Sequence, residues 1–265
     1  MLRLVALAAV AFVAAWGVIA LASPDVPASD VTPVPDAVRE RFKLSPFYAK
    51  YIDVGGLPVI SSAKVSDDGL REAAYLIRNM LAQRDDVLKA IGENDVRFAV
   101  MSPDEQTTDI PEHSDLRPKE YWDKRARGLG PTPQRPAVSC GEENLLNLPG
   151  DRYPTENILV HEFAHAIHLM GLNAIDPAFD ARVKDVYDKA IAAGLWKGKY
   201  AAGNKEEYWA EGVQSYFDTN REDDNDHNHV DTREELKEYD ADLFALIDET
   251  LKANPWRYVR YDERE

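Results

Sequence analysis

Two histidines and a glutamate in one short stretch of the sequence could hold and use a metal ion. His161 and His165 lie four residues apart in the segment LVHEFAHAIH, and Glu162 directly follows the first histidine. In a helix, side chains at positions i and i+4 point the same way, so both imidazoles could bind one ion. Glu162 could then take a proton from a water molecule bound to the outer side of that ion. This is the chemistry of zinc peptidases.

The surroundings of this stretch argue against two histidines that are merely buried. The residues between Thr155 and Gly171 include no glycine or proline. We therefore predict a helix over about 155–170, with Thr155 as its N-cap and Gly171 as its C-terminal stop. Most of this helix is apolar, which indicates burial, and buried histidines and glutamates without partners are costly. A metal ion would remove that cost. His168 could face the same site, but we interpret it as a structural residue.

A catalytic zinc ion needs a third protein ligand and one open position. The downstream candidates are Glu206, Glu207, Glu211, His227, His229 and several aspartates. The stretch after Asn204 predicts a helix over about 205–218, in which Glu207 and Glu211 share one face among apolar residues. If one of these glutamates bound the metal and the other accepted a hydrogen bond from a ligand histidine, both would have partners.

These two segments together resemble the gluzincin family of zinc metallopeptidases. The closer resemblance is to the catalytic domain of anthrax lethal factor and its relatives. In those proteins a Tyr-x-x-x-Asn-x-x-Glu pattern, two aromatic residues, Ala and Glu follow the HExxH helix, and here Tyr200–Glu211 has that pattern. The match covers about 155–171 and 200–217. Residues 23–150 match nothing that we can name in that family, so substrate selection does not follow from it.

The resemblance implies a role for each residue of the pattern, together with a zincin-like fold and hydrolysis of peptide bonds. Glu162 would be the general base, and Tyr200 would be the phenol that stabilises the oxyanion. Glu211 would accept a hydrogen bond from a ligand histidine. The implied zinc ligands are His161, His165 and Glu207.

The composition limits the partners of the protein. The chain has 265 residues, 45% of them hydrophobic, and a formal net charge of −16, so it can bury a sizeable core. An acidic chain repels phosphate backbones and anionic lipid headgroups, so we expect no nucleic-acid partner. A peptide or protein substrate is compatible with this charge.

The N-terminal segment predicts export. Residues 4–22 are an apolar run after Arg3 that ends in Ala20-Leu21-Ala22, a pattern that favours a cleaved signal peptide over residues 1–22. The run is also long enough to be an uncleaved membrane anchor, the only case in which we expect a membrane partner. In either case the rest of the chain would be secreted, periplasmic or on the cell surface. Residues 23–44 are Pro-rich in their first part and predict a linker or N-terminal segment, followed by a metallopeptidase domain over 45–265.

The coarse pattern of elements predicts an α+β fold. Strands or loops fit residues 45–63, a long helix that begins after Ser66 and a shorter helix fit 66–94, and strands fit 95–101 and 135–140. The segment 135–140 could be a sheet edge that pairs with substrate or an ordinary core strand. The second half is mostly helical, with further helices over about 177–193 and 240–252. We expect a small sheet beside the HExxH helix, with the C-terminal half carrying Glu207.

A charged loop near the C-terminus offers a weaker metal signal. Asp224, Asp226, Asn228 and Glu235 have spacing similar to a calcium loop, but His229 occupies the position where a glycine is needed. A solvated acidic loop is the simpler interpretation.

Four further residues have open roles. His227 and His229 could line the cleft or form a second metal site, against a simpler surface-loop interpretation. His113 predicts an ordinary surface or core residue. Cys140 is the only cysteine, so the chain cannot form an internal disulfide, and we predict a small buried residue at this position.

The sequence therefore predicts an exported zinc peptidase with one catalytic zinc ion. Two alternatives stay open. The same chemistry could hydrolyse a non-protein amide such as a cell-wall crosslink, or the zinc site could be structural, in a binding module without catalysis. A structural site is usually closed by four protein ligands, so a fourth ligand such as Cys140 or His227 would favour the second alternative.

Overall fold

The computed structural model describes residues 30–264. Within this range six strands form one mixed sheet beside a set of helices, which agrees with the predicted α+β class. The strands are β1 (Thr32–Pro33), β2 (Lys50–Val54), β3 (Leu57–Ser61), β4 (Arg97–Met101), β5 (Gly128–Leu129) and β6 (Ala137–Gly141). The helices are α1 (Asp36–Arg41), α2 (Asp67–Met80), α3 (Asp85–Glu93), α4 (Lys119–Arg125), α5 (Glu142–Leu145), α6 (Ile158–Ala166), α7 (Asn173–Ile175), α8 (Phe179–Ala192), α9 (Lys205–Tyr216), α10 (Arg233–Tyr239) and α11 (Ala241–Thr250).

The sheet has the order β1-β2-β3-β4-β6-β5. Strands β3, β4 and β6 run parallel, and the remaining pairs are antiparallel. Parallel neighbours need long crossover connections, and α2 with α3 supplies the one between β3 and β4. The segment 135–140 is therefore an inner strand between β4 and β5. Its interpretation as a sheet edge is wrong, because the edge at this end of the sheet is β5.

Hydrophobic side chains cover both faces of the sheet. Phe98, Val100 and Val138 join the larger core, which includes α2, α6 and α9. Ala99 and Met101 point to the opposite face and join a smaller core. This alternation follows from the two-residue period of a strand, and both sets are fully buried because each face has a covering layer.

The smaller core includes residues of the segment that we predicted to be a linker. Thr32 pairs with Tyr51 of β2, and Phe42 and Leu44 are buried. The packed part of the chain thus begins well before residue 45. The predicted signal peptide lies outside the described residues.

The helix that carries the HExxH stretch differs from the prediction at both ends. Its N-cap is Asn157, whose side chain accepts a hydrogen bond from the Val160 amide, and not Thr155. Beyond Ala166 the helical chain continues through a π-helical turn over 167–172 into α7, so Gly171 does not stop it. The stretch Ile158–Ile175 is apolar and long enough to span a membrane, but 72% of it is buried within the fold.

Several helices predicted from periodicity are confirmed. Ser66 caps α2, and the predicted spans 177–193, 205–218 and 240–252 correspond to α8, α9 and α11. Helix α10 was not predicted, because its residues lie at the end of the charged stretch that we interpreted as a loop. Thr232 and Glu235 form a capping box at its start.

Candidate metal centre

Helices α6 and α9 pack against each other and bring the two predicted segments together. The Trp209 indole on α9 donates a hydrogen bond to the Ala164 carbonyl on α6, at 3.0 Å. At the start of α9 the Asn204 side chain accepts a hydrogen bond from the Glu207 amide, at 2.8 Å. This cap fixes the first turn of α9, in which the Glu207 side chain faces α6.

The side chains of His161, His165 and Glu207 converge on one point. The distance from His161 Nε2 is 3.0 Å to Glu207 Oε2 and 3.3 Å to His165 Nε2, and His165 Nε2 lies 3.5 Å from Glu207 Oε2. Ligand atoms held about 2.1 Å from a tetrahedral zinc ion lie about 3.4 Å apart, so the three donor atoms are spaced to fit one ion. Two imidazoles and one carboxylate are also a ligand set of catalytic zinc sites. Among the described residues, no other such group of metal-ligating side chains comes together.

The charges around His161 favour a cation at this point. Burial lowers the pKa of His161, but hydrogen bonding to Glu207 and Glu211 outweighs burial and raises that pKa well above its usual range. Burial raises the pKa of Glu207, but the two histidines outweigh it and hold that pKa well below its usual range. A carboxylate with such a low pKa stays ionised, which is the form that binds metal.

Glu162 lies beside the converging donor atoms in a partly buried position. Its pKa is raised by burial, despite the opposing charges of His161 and His165. A general acid–base group works best when its pKa is closer to the working pH than that of an ordinary carboxyl. The position and the environment of Glu162 thus suit the predicted role.

Two glycines allow the edge strand β5 to approach the helix that carries Glu162. A Cβ atom at Gly128 would lie 2.4 Å from Ile158 Cγ2 and 3.0 Å from Glu162 Cγ. A Cβ atom at Gly130 would lie 2.9 Å from His165 Cβ. These two glycines were not predicted to belong to the site, although the Gly-Leu-Gly alternation is visible in the sequence.

Tyr200 stands at the opening of the site and is half-exposed. Its ring centroid lies 6.1 Å from that of His161, and Arg125 lines the same cleft. Burial and the charge of Glu207 raise the pKa of Tyr200 to about 12. The phenol therefore keeps its proton and can donate a hydrogen bond.

Glu211 contacts His161 but is shared with a second histidine. Its Oε1 lies 3.4 Å from His161 Nδ1, and its Oε2 lies 3.5 Å from His227 Nε2. Burial raises the pKa of Glu211, but the hydrogen bonds to His161 and His227 outweigh it and hold the pKa at about 2. Glu211 is thus near the predicted partner, and His227 is brought to the site as well.

Gln214 is the closest partner of His161 on the side away from Glu207. Its Oε1 lies 2.7 Å from His161 Nδ1, shorter than the Glu211 contact. This residue was not predicted, because an amide side chain is not among the usual metal ligands. The available signal was a polar residue three positions after Glu211 and seven after Glu207, on the same face of a buried helix.

A polar cleft of about 280 Å³ opens next to His161 and Glu162. Arg221 lines it and pairs with buried Glu156 at 3.1 Å. The cleft is lined by Arg125, Ala126, Arg127, Gly128, Tyr153, Glu156, Ile158, His161, Glu162, Tyr200, Glu211, Arg221, Asp226 and His227. Its position places solvent-accessible space directly beside the converging donor atoms.

The loop considered for calcium has other contacts. Asp224 Oδ1 accepts hydrogen bonds from the amides of Asp226 and His227, and Glu235 accepts one from the Thr232 hydroxyl at the start of α10. These carboxylates hold the loop and the helix in shape and do not converge on one point.

The other candidate residues lie away from the converging donor atoms. Glu206 pairs with Lys205, and His229 packs against the Tyr239 ring. Cys140 is buried in β6, where burial raises the pKa of its thiol. His113 and His168 are fully buried and bond to Ser139 and Asp180, respectively. The distances are 3.0 Å from His113 Nε2 to Ser139 Oγ and 3.1 Å from His168 Nε2 to Asp180 Oδ1.

Comparisons with known proteins do not add to this description. Comparison with models of known families gave no match, and comparison with curated protein sequences gave no significant match.

Proposed function

We propose that the protein is an exported zinc peptidase of the gluzincin type with a zincin-like fold. The observation that carries this proposal is the convergence of His161, His165 and Glu207 at distances that suit one zinc ion, beside Glu162 and an open cleft. His161 and His165 would hold the ion from α6, and Glu207 from α9. The apolar N-terminal segment supports export.

Bound there, zinc would act as a Lewis acid that polarises the scissile carbonyl and acidifies a water molecule. Side chains of the protein would carry out proton transfer and hydrogen bonding. Glu162 would accept a proton from the attacking water and return it to the leaving amine, a use that its raised pKa supports. The protonated phenol of Tyr200 would donate a hydrogen bond to the oxygen on which negative charge develops.

The number of donors in the site favours a catalytic over a structural zinc ion. Structural zinc sites are usually closed by four protein ligands. The converging group within residues 30–264 has three, with His227 held by Glu211 and Asp224 and Cys140 buried in the sheet. A position for water and substrate would thus stay open toward the cleft.

The decisive experiment is digestion of an unfolded protein mixture by the zinc-loaded protein, with the Glu162→Gln variant alongside. We expect new peptides from the wild type and a rate that is lower by about 10²–10⁴-fold in the variant, because the amide cannot take the proton. Zinc content, measured by elemental analysis, should equal one ion per chain in both proteins. The termini of the peptides would give the cleavage preference.

Two outcomes would contradict the proposal. Equal digestion by wild type and variant would assign the activity to another site or to a contaminant. No digestion by either protein, with one zinc ion bound, would leave an amidase or a structural zinc module. Release of soluble fragments from cell-wall material by the wild type, but not by Glu162→Gln, would then identify the amidase.

A further inference from the structure

The side-chain amide of Gln214 is oriented by contacts on both of its ends. Gln214 is fully buried on α9. Its Nε2 lies 3.3 Å from Glu156 Oε2 and 3.3 Å from the Asn157 carbonyl oxygen. Both partners are hydrogen-bond acceptors, so the amide nitrogen must point toward them. The amide oxygen therefore faces His161.

This orientation determines which nitrogen of His161 carries the proton. Gln214 Oε1 lies 2.7 Å from His161 Nδ1, and an amide oxygen can only accept a hydrogen bond. The Nδ1 atom of His161 must therefore be the N–H donor. In the neutral ring the lone pair then lies on Nε2, the atom that faces Glu207 and His165. That tautomer is the one that a metal ion at this point requires.

The amide of Gln214 is held in turn by a chain of charged side chains. Glu156, which accepts the hydrogen bond from this amide, has a buried side chain. Its Oε1 forms an ion pair with Arg221 Nε at 3.1 Å, although the angle is not that of a hydrogen bond. Arg221 Nη1 lies 3.4 Å from Asp224 Oδ2, and Asp224 Oδ1 lies 2.9 Å from His227 Nδ1. Glu156 thus cannot turn away from Gln214 without breaking its ion pair.

The same chain of side chains returns to His161 through Glu211. His227 Nε2 lies 3.5 Å from Glu211 Oε2, an oxygen that also accepts a hydrogen bond from Asn220 at 3.1 Å. The remaining oxygen, Oε1, reaches His161 Nδ1 at 3.4 Å. Glu211 is the weaker partner of His161, because its other contacts are with Asn220 and His227 in the 220–227 loop.

We propose that Gln214 is the positioning residue that sets the tautomer and ring orientation of His161 for zinc, with the Glu156–Arg221 pair holding its amide. This inference rests on the proposed function, since it concerns the same metal site. Groups that hold a metal-ligating histidine in this way typically change metal affinity 10–100-fold when they are replaced.

The test is the zinc affinity of the purified protein, measured by competition with a chromogenic chelator, together with the rate of zinc release. Gln214→Met keeps the length of the side chain but removes both the acceptor and the donor. We expect it to bind zinc about 10–100-fold more weakly and to release it faster. The matched control is Tyr216→Phe on the same helix, which removes a buried hydrogen bond to Asp248 and should leave zinc affinity unchanged.

An exchange of donor and acceptor separates positioning from a merely structural role. Gln214→Glu alone would replace the hydrogen bond from Gln214 to Glu156 with a contact between two carboxylates, which repel each other. Combining it with Glu156→Gln restores one amide and one carboxylate, with the acceptor still facing His161. We expect the zinc affinity of the double variant to lie within severalfold of that of the wild type. The zinc affinity of Gln214→Glu alone should be lower than that of the double variant.

Two results would overturn the inference: zinc binding by Gln214→Met as tight as that of the wild type, or an equal loss in Tyr216→Phe. These results are independent of peptide hydrolysis. A wild type that binds one zinc ion but cleaves nothing would contradict the peptidase proposal and leave this inference intact, whereas a wild type that binds no zinc would contradict both.

Discussion

The proposed metal centre and two other sites, those of His113 and His168, contain buried histidines whose pKa values are shifted in opposite directions. His161 is buried among Glu207, Glu211 and Gln214, and its pKa is raised. His113 and His168 are buried with less negative charge, and burial lowers the pKa of each to about 4.

The difference lies in the neighbours and not in the depth of burial. His113 bonds to a hydroxyl group, and the carboxylate of Asp180 beside His168 is already paired with Lys205. At His161 the nearby carboxylates outweigh the desolvation of the charged ring. In this protein the pKa of a buried imidazole is raised where two carboxylates converge on it, as Glu207 and Glu211 do on His161.

The largest expected effect comes from making one substitution in both regions. His165→Gln should weaken zinc binding about 10²–10³-fold and abolish hydrolysis, because it would remove one of the three proposed ligands. His168→Gln, three residues along the same helical segment, should keep one zinc ion per chain. Its cost should appear as about 1–3 kcal/mol of lost unfolding free energy. Equal zinc loss in the two variants, measured by chelator competition, would contradict the distinction between His165 as a zinc ligand and His168 as a structural residue.

A second prediction sharpens the assignment within the cleft. Tyr200→Phe should lower kcat by about 10²–10³-fold without changing zinc content, because it removes a donor to the developing oxyanion. Tyr153→Phe is the control, since Tyr153 lines the same cleft but donates its phenol proton to the Arg125 carbonyl, at 2.5 Å. We expect less than about a tenfold change there. A similar loss of kcat in both variants, in steady-state peptide hydrolysis, would remove Tyr200 from the proposed mechanism.

The smallest expected effect is on stability and concerns His113. Its pKa is about 4 in the folded protein and about 6.5 in the unfolded chain. Between these values the unfolded state binds the proton, so stability is lost as the pH falls below about 6.5. Linkage gives a loss of about 2 kcal/mol at pH 5 relative to pH 7.5.

The check is urea unfolding of zinc-free wild type and His113→Gln at both pH values. Other groups titrate over the same range, and His161, with its raised pKa, contributes in the opposite direction. The difference between the two proteins isolates His113. We expect the variant to lose about 2 kcal/mol less than the wild type on acidification. Parallel losses would show that His113 is not held neutral by the fold.

The parts of the site that sequence could predict are those set by local periodicity. The i and i+4 spacing places His161 with His165, and Glu207 with Glu211, on single helix faces, and the structure keeps both pairs. Gln214 was not predictable in the same way, because its role depends on how α9 lies against α6. Packing between helices also decides that Gln214 comes closer to His161 than Glu211 does.

The errors in the fold have similar causes. Asn157 caps α6 in place of Thr155 because its side chain reaches the Val160 amide, a choice between two good capping residues. Helix α10 had a readable Thr-x-x-Glu signal at Thr232, which the possible calcium pattern obscured. The N-terminal segment was predicted to be a linker because its buried residues, such as Phe42 and Leu44, pack in the smaller core against distant parts of the chain, which no local pattern reveals.

The close approach of β5 to α6 has a consequence for how this protein can diverge. Gly128 and Gly130 carry no chemistry, yet a methyl group at either position would collide with the helix that carries the histidines. We therefore expect homologues to keep glycine at both positions, together with the proposed ligands. A search pattern that joins Gly128-x-Gly130 to the HExxH stretch, Glu207 and Gln214 should recover distant homologues that the short histidine motif alone cannot separate from chance.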